Sequence, residues 1–212
     1  MGMVPDDLAR ELKARLGLVR AVETGTYYGG GARRMARIFD AVVSIELSEE
    51  LYTEARAALA NEPSITLLRG DSRALLPDVV DPSLATLFFL DGHWSGGPTA
   101  GEEVECPVLG ELQALAGGNA DDCLFIDDAR LFAAAPPPPH DPAKWPTLLE
   151  ILDAIRMVMP KHHITLLDDL IIAVPQRAKP LVDVFGQGLA TKTAAKPPRR
   201  WRHWVGRLKR PV

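Results

Sequence analysis

The 212 residues, 47% hydrophobic and 25% charged, suffice for one domain with a buried core. No apolar run reaches the length of a membrane span, and the two cysteines, Cys106 and Cys123, lack the spacing of a metal site or a disulfide framework. The net charge of −4 hides an asymmetry: residues 192–212 carry eight Lys or Arg and no acid, leaving 16 basic against 28 acidic residues in the body, a net of −12. Composition therefore excludes a general nucleic-acid binder. The N-terminus lacks the basic and apolar regions of a signal peptide, so a cytoplasmic protein is expected.

Pro5 to Leu16 reads as a helix, with Leu8, Leu12 and Leu16 recurring every four residues. Arg20–Glu23 reads as a strand. It is followed by Gly25, three further residues, Gly29-Gly30-Gly31, and a helical pattern over Ala32–Phe39. Strand, glycine turn and helix in that order suit a nucleotide-type ligand, because glycine lets a ligand approach the backbone and the helix start offers free N–H groups. The spacing is not the dinucleotide fingerprint G-x-G-x-x-G, and no P-loop lysine follows.

The alternation continues. Ala41–Glu46 is a strand, and Ser48 with Glu49 and Glu50 opens a helix running to about Asn61. Ser64–Leu68 is a third strand, Arg73–Val80 a short helix, Leu84–Leu90 a fourth strand, Pro107–Ala116 a helix and Cys123–Ile126 a fifth strand. Leu148–Met159 is a helix. His163–Leu167 and Leu170–Val174 are two strands separated only by Asp168 and Asp169, which requires an antiparallel hairpin. The expectation is an α/β fold: a doubly wound, mostly parallel sheet finished by a hairpin, in one domain over residues 1–190. Two long loops, Gly92–Glu105 and Ala133–Lys144, follow carboxyl ends of strands, where ligands bind in such sheets.

Each of the first five strands ends in an acid or is soon followed by one: Glu23, Glu46, Asp71, Asp91, and Asp127 with Asp128. A parallel sheet gathers these ends along one edge, where like charges need something positive or hydrogen-bonding among them. Glu46, closing the second strand, is suited to the two hydroxyls of a ribose. Asp71 and Ser72 are candidates for a base, and Glu23 for polar groups of the same ligand. Asp91, Asp127 and Asp128 suit a hard divalent cation such as Mg²⁺; the alternative is that Asp127 and Asp128 cap a turn and Asp91 pairs with Arg130. His93, just past Asp91, is a candidate general base, with a structural role equally open.

These residues resemble class I S-adenosylmethionine-dependent methyltransferases, in particular the divalent-metal-dependent O-methyltransferases of the catechol and bacterial antibiotic-sugar types. Glu23-Thr24-Gly25-Thr26-Tyr27-Tyr28-Gly29 is similar to the family's E-x-G-x-Y-x-G motif, Ser44-Ile45-Glu46 to its second-strand motif, and Leu90–Trp94 with Phe125–Asp128 to its metal motifs. The resemblance spans residues 20–175. It implies a Rossmann-like, seven-stranded sheet, cofactor contacts at Glu23, Gly25, Thr26, Tyr27, Gly29, Glu46, Asp71, Ser72 and Asp91, metal ligation by Asp91, Asp127 and Asp128, and catalysis by Asp91 and His93. The chain departs from the pattern in lacking a lysine after Asp91, in the extra Gly92, and in Asp128 where the family commonly has Asn.

The expected function is methyl transfer from S-adenosylmethionine to a hydroxyl of a small molecule with Mg²⁺ assistance. The rivals are metal-free transfer and a cofactor-binding protein without turnover. In the tail, Trp201, Trp204, Val205 and Leu208 follow helical spacing among basic residues, so weak membrane contact is one reading for it. A homodimer is a further partner reading.

Overall fold

The computed structural model describes residues 3–94, 96 and 99–194, of which 192–194 as backbone only. The expected tail element around Trp201 and Trp204 lies outside the described residues.

The chain runs α1 (Asp6–Leu16), β1 (Arg20–Thr24), α2 (Gly30–Met35), β2 (Ala41–Glu46), α3 (Glu49–Ala58), β3 (Ile65–Arg69), α4 (Ser72–Val79), β4 (Thr86–Leu90), α5 (Val108–Ala114), β5 (Cys123–Ile126), α6 (Ala129–Ala133), α7 (Leu148–Val158), β6 (His162–Leu167), β7 (Leu170–Pro175) and α8 (Lys179–Ala194). The seven strands form one sheet in the order β3-β2-β1-β4-β5-β7-β6. β1 to β5 are parallel; β7 runs antiparallel to β5 and forms the hairpin with β6. This is the doubly wound, hairpin-terminated sheet expected from the alternation of elements. Its order reverses between β1 and β4, the switch point beside which ligands bind in open α/β sheets.

Alternation along each strand splits the core into two layers. Ala21, Leu87, Phe125 and Ile172 face α1, α2 and α8 through Leu8, Leu12, Met35 and Val182. Val22, Phe88, Leu124 and Ala173 face the other way, toward α4, α5 and α7 through Leu76, Leu112, Ile151 and Ile155. Both faces are covered, which is why β4 and β5 read as unbroken apolar runs.

Local chemistry sets the helix ends. Ser48 caps α3 by accepting from the Leu51 N–H, Asp71 caps α4 through the Arg73 N–H, and Thr147 with Glu150 forms a capping box on α7. Two elements lie beyond the sequence expectation. α6 is a five-residue helix directly after the paired aspartates, and α8 runs across the anticipated domain end at residue 190. α2 starts inside the glycine run and stops at Met35, short of the expected Phe39. Among the described residues no helix is long and apolar enough to cross a membrane.

Candidate active site

The parallel strands deliver their carboxyl ends to one edge, and a cavity of about 950 Å³ opens there. Gly25 makes the first turn possible. Its φ is +80°, and a Cβ on it would lie 2.2 Å from the Asp91 carbonyl oxygen. Only glycine lets the turn after β1 press against the end of β4. The Gly25 N–H donates to the Ile45 carbonyl at 2.9 Å, tying the turn to β2 as well.

Glu46 organises the same turn from β2. Its Oε2 accepts from the Tyr27 N–H and its Oε1 from the Ser48 N–H, each at 2.8 Å. The carboxylate is thus fixed by two backbone donors, with further lone pairs left over. Tyr27 adopts φ 52°, which turns the chain back toward α2. Asp71 is held by Arg73, whose Nε lies 3.0 and 3.1 Å from its two oxygens; that contact, with the Arg73 N–H, pulls the Asp71 carboxyl below its ordinary range.

Of the nine residues expected at the cofactor, Gly25, Tyr27, Glu46, Asp71, Ser72 and Asp91 line the cavity. Glu23, Thr26 and Gly29 do not. Glu23 shares the face of Ala21, the opposite side of the strand from Val22, so its side chain turns beneath α2. It accepts from the Ser44 hydroxyl at 2.6 Å and from the Ala32 N–H, and a Cβ on Gly31 would sit 2.0 Å from its Oε1. Burial pushes this carboxyl up to about 8. Glu23 therefore meets a free N–H group at the start of α2. Thr26 is buried against Ser44, its Oγ1 2.7 Å from the Ser44 Oγ. Gly29 backs onto Leu59.

Asp91, His93, Asp127 and Asp128 all line the cavity. His93 sits between two of the acids, its Nε2 2.8 Å from Asp128 Oδ2 and its Nδ1 3.6 Å from Asp91 Oδ1. Arg130 holds the other Asp128 oxygen at 2.5 Å and also pairs with Asp169 in the β6–β7 turn. Burial, with the charges of Asp127, Asp128 and Glu23, pushes the Asp91 carboxyl up to about 9. Asp128 goes the other way: against its burial, hydrogen bonds and charge from His93 and Arg130 hold it down at about 2.

Among the described residues no group of three or more His, Cys, Asp or Glu side chains is arranged to hold a metal ion. Both Asp128 oxygens are engaged by cationic or donor groups, and an imidazole stands between Asp128 and Asp91. The expected ligand set of Asp91, Asp127 and Asp128 does not fit a divalent cation as it stands. The partners that the row of acids meets are a hydrogen-bonding imidazole, His93, and a positive guanidinium, Arg130. The anticipated Asp91–Arg130 pair is not formed; Arg130 takes Asp128 instead.

Other residues of the site escaped the sequence. Glu111 on α5, 1% exposed, accepts from the Ser72 hydroxyl at 2.5 Å and bonds Thr24, directly under Gly92. Burial pushes its carboxyl upward. A charged residue between Val108 and Leu112 on a buried helix face was the one available signal. Glu105 joins the two long loops. It accepts from the Trp145 indole N–H at 2.9 Å and the Asp141 N–H at 3.1 Å, lies 3.3 Å from His140 Nδ1, and takes Lys144 Nζ at 3.7 Å. From the same loop, the Trp94 N–H donates to the Glu105 carbonyl at 2.7 Å. His140 lines the cavity and stacks edge-on against Trp94 and Trp145. Glu105 and its side-chain partners in the second loop are 35 to 40 residues apart, so local sequence carries no sign of them.

No family model and no curated protein matches the chain. Solved structures do. One is the O-methyltransferase TomG of Streptomyces achromogenes, involved in tomaymycin synthesis and solved in complex with SAM; the match has 17% identity, covers 80% of this chain and 78% of TomG, and has a TM-score of 0.53. A Klebsiella pneumoniae protein provisionally assigned as an O-methyltransferase matches at 18% identity over 81% of both chains, TM-score 0.56. A Staphylococcus aureus protein provisionally assigned as a caffeoyl-CoA O-methyltransferase matches at 17% identity over 82% of this chain and 85% of its own, TM-score 0.55. At these identities the likeness establishes the fold: the chain has the methyltransferase-like form of the doubly wound sheet.

Proposed function

We propose that the chain is an S-adenosylmethionine-dependent methyltransferase acting on a hydroxyl oxygen of a small molecule. The observation that carries this reading is Glu46. A fixed carboxylate closes the second strand, beside a glycine turn that only a Cβ-free residue can make, in a cavity at the switch point of the sheet. Glu46 would accept the ribose hydroxyls, and Asp71 with Ser72 would border the base. S-adenosylmethionine, when bound, supplies an electrophilic methyl group on a sulfonium. Asp91 and His93, at the end of β4, would border that methyl group and orient the acceptor oxygen. Much of the rate enhancement in such a site comes from holding two reactants in line. The neighbouring structures support the reading through their fold.

Divalent-metal assistance belongs to this proposal only if His93 leaves its position between Asp91 and Asp128. Metal-free transfer is the reading that the His93–Asp128 contact favours. A cytoplasmic location and an acceptor other than nucleic acid are parts of the same proposal.

The test is calorimetric titration with S-adenosylmethionine, in Mg²⁺ and then in EDTA, followed by methyl transfer from labelled cofactor to hydroxyl acceptors under both conditions. Saturable binding in both and transfer in EDTA are expected. Absence of binding in either condition overturns the reading. Binding without transfer to any hydroxyl acceptor would favour a cofactor-binding protein.

A further inference from the structure

The methyl-transfer reading leaves the acceptor's proton without a destination. His93 is committed to the strand-end acids: its Nε2 is 2.8 Å from Asp128 Oδ2, and its Nδ1 is turned toward Asp91, 3.6 Å away. An ionised carboxylate only accepts hydrogen bonds, so Nε2 of His93 is the donor there.

The second cavity histidine is arranged differently. His140 Nδ1 lies 3.3 Å from Glu105 Oε2. Glu105 is buried, yet the Trp145 indole N–H and the Asp141 N–H donate to it, and the Lys144 ammonium lies beside it. A carboxylate ringed by donors is an anion, so His140 Nδ1 carries the hydrogen and Nε2 keeps its lone pair. The ring is pinned edge-on between Trp94 at 5.6 Å and Trp145 at 5.1 Å. Trp145 also packs on His93, with ring centres 5.5 Å apart, so both imidazoles border one part of the cavity.

We propose that His140 is the general base of the reaction, and that Glu105 is the residue that positions it and sets its tautomer. The inference rests on the methyl-transfer reading. In the step, the acceptor oxygen bonds to the methyl carbon, and the carbon–sulfur bond breaks with its electron pair going to sulfur. The hydroxyl proton moves to His140 Nε2. The products are the methyl ether, the neutral thioether and an imidazolium facing the Glu105 carboxylate, which then releases its proton to solvent. Carboxylate, imidazole and hydroxyl in series is the arrangement by which a fixed anion orients a base and stabilises its protonated form.

The test uses the full chain labelled with ¹⁵N-histidine, the His140 signals being assigned by their loss in His140→Gln. The ring-nitrogen shifts report the tautomer. The expected spectrum at neutral pH has a protonated Nδ1 and a bare Nε2, and Glu105→Gln shifts the population toward the Nε2–H form by several-fold. A protonated Nε2 in the parent, or a tautomer unmoved by Glu105→Gln, overturns the proposal. With S-adenosylmethionine and catechol as the probe acceptor, His140→Gln is expected to slow transfer roughly 10²- to 10⁴-fold while cofactor affinity stays within about twofold. Transfer by His140→Gln at the parent rate also overturns it. Should the parent transfer no methyl to catechol, the tautomer result alone decides. Failure of the parent to bind S-adenosylmethionine would sink the methyl-transfer reading while leaving the tautomer measurement intact, so the two failures are distinguishable.

Discussion

His93 Nε2 lies 2.8 Å from Asp128 Oδ2, and that contact, with Arg130, holds the Asp128 carboxyl down against its burial. It supplies a donor where three acids would otherwise repel one another. Removing it should expose the affinity that the cluster suppresses. His93→Ala is expected to bind Mn²⁺ or Mg²⁺ at least tenfold more tightly than the parent, since hard cations seek carboxylate oxygens. Calorimetric titration with each metal checks this, and equal affinities would refute it.

Glu23 gives a stability prediction with a definite sign. Its folded carboxyl is raised to about 8 from 4.5. A raised acid binds its proton more tightly in the folded state, so its contribution is fully present below about pH 4.5 and is lost as pH rises through 8. Glu23→Gln removes the titration and keeps an oxygen for the Ser44 hydroxyl. The variant should match the parent near pH 4 and exceed it by roughly 2–4 kcal/mol at pH 9. Urea unfolding at the two pH values is the measurement.

Gly25→Ala should fail for two separate reasons. The φ of +80° disfavours a side chain, and the added Cβ would meet the Asp91 carbonyl oxygen at 2.2 Å. The strain alone costs about 1–2 kcal/mol, and relief of the clash must part the ends of β1 and β4. The expected result is a fall in melting temperature together with loss of measurable cofactor binding. Gly17→Ala is the control, because its φ is +73° but nothing lies within 4 Å of the new methyl group. It should lower stability without changing binding.

Glu46→Ala removes a carboxylate that accepts two backbone N–H bonds and, on the proposed reading, a ribose. Charge-assisted hydrogen bonds contribute about 1.5–3 kcal/mol, so S-adenosylmethionine affinity should fall roughly 10- to 100-fold. Affinity for the cofactor unchanged in the variant would remove Glu46 from the site.

The sheet was legible because its evidence is local. Apolar runs alternating with capped helices dictate parallel strands, and the two-residue gap at Asp168-Asp169 dictates the hairpin. Much of the cavity was legible for the same reason, since strand ends in a parallel sheet must share an edge. What escaped depended on direction and distance. Glu23 and Glu46 share one face of the sheet, since Glu23 pairs with Ser44. Glu23, one residue inside the end of β1, is covered by the start of α2, whereas Glu46, at the last position of β2, is reached by the Tyr27 and Ser48 N–H groups at the cavity. For the histidine between the acids the sequence left a basic and a structural role equally open, and its contact with Asp128 makes it a partner of the acids. Glu105, His140 and Trp145 come together only because two irregular loops fold over the same strand ends.

Those loops meet on one carboxylate. Glu105 belongs to the segment after β4, and its donors from His140 to Trp145 belong to the segment after β5. The wall they form is one mechanical unit, so neither segment can be exchanged alone. Transplanting the first from a relative would leave an indole N–H and a backbone N–H buried without an acceptor; transplanting the second would strand a buried anion. Acceptor preference in this scaffold should therefore change by paired replacement of both segments, and libraries that vary only one should return mostly poorly folded protein.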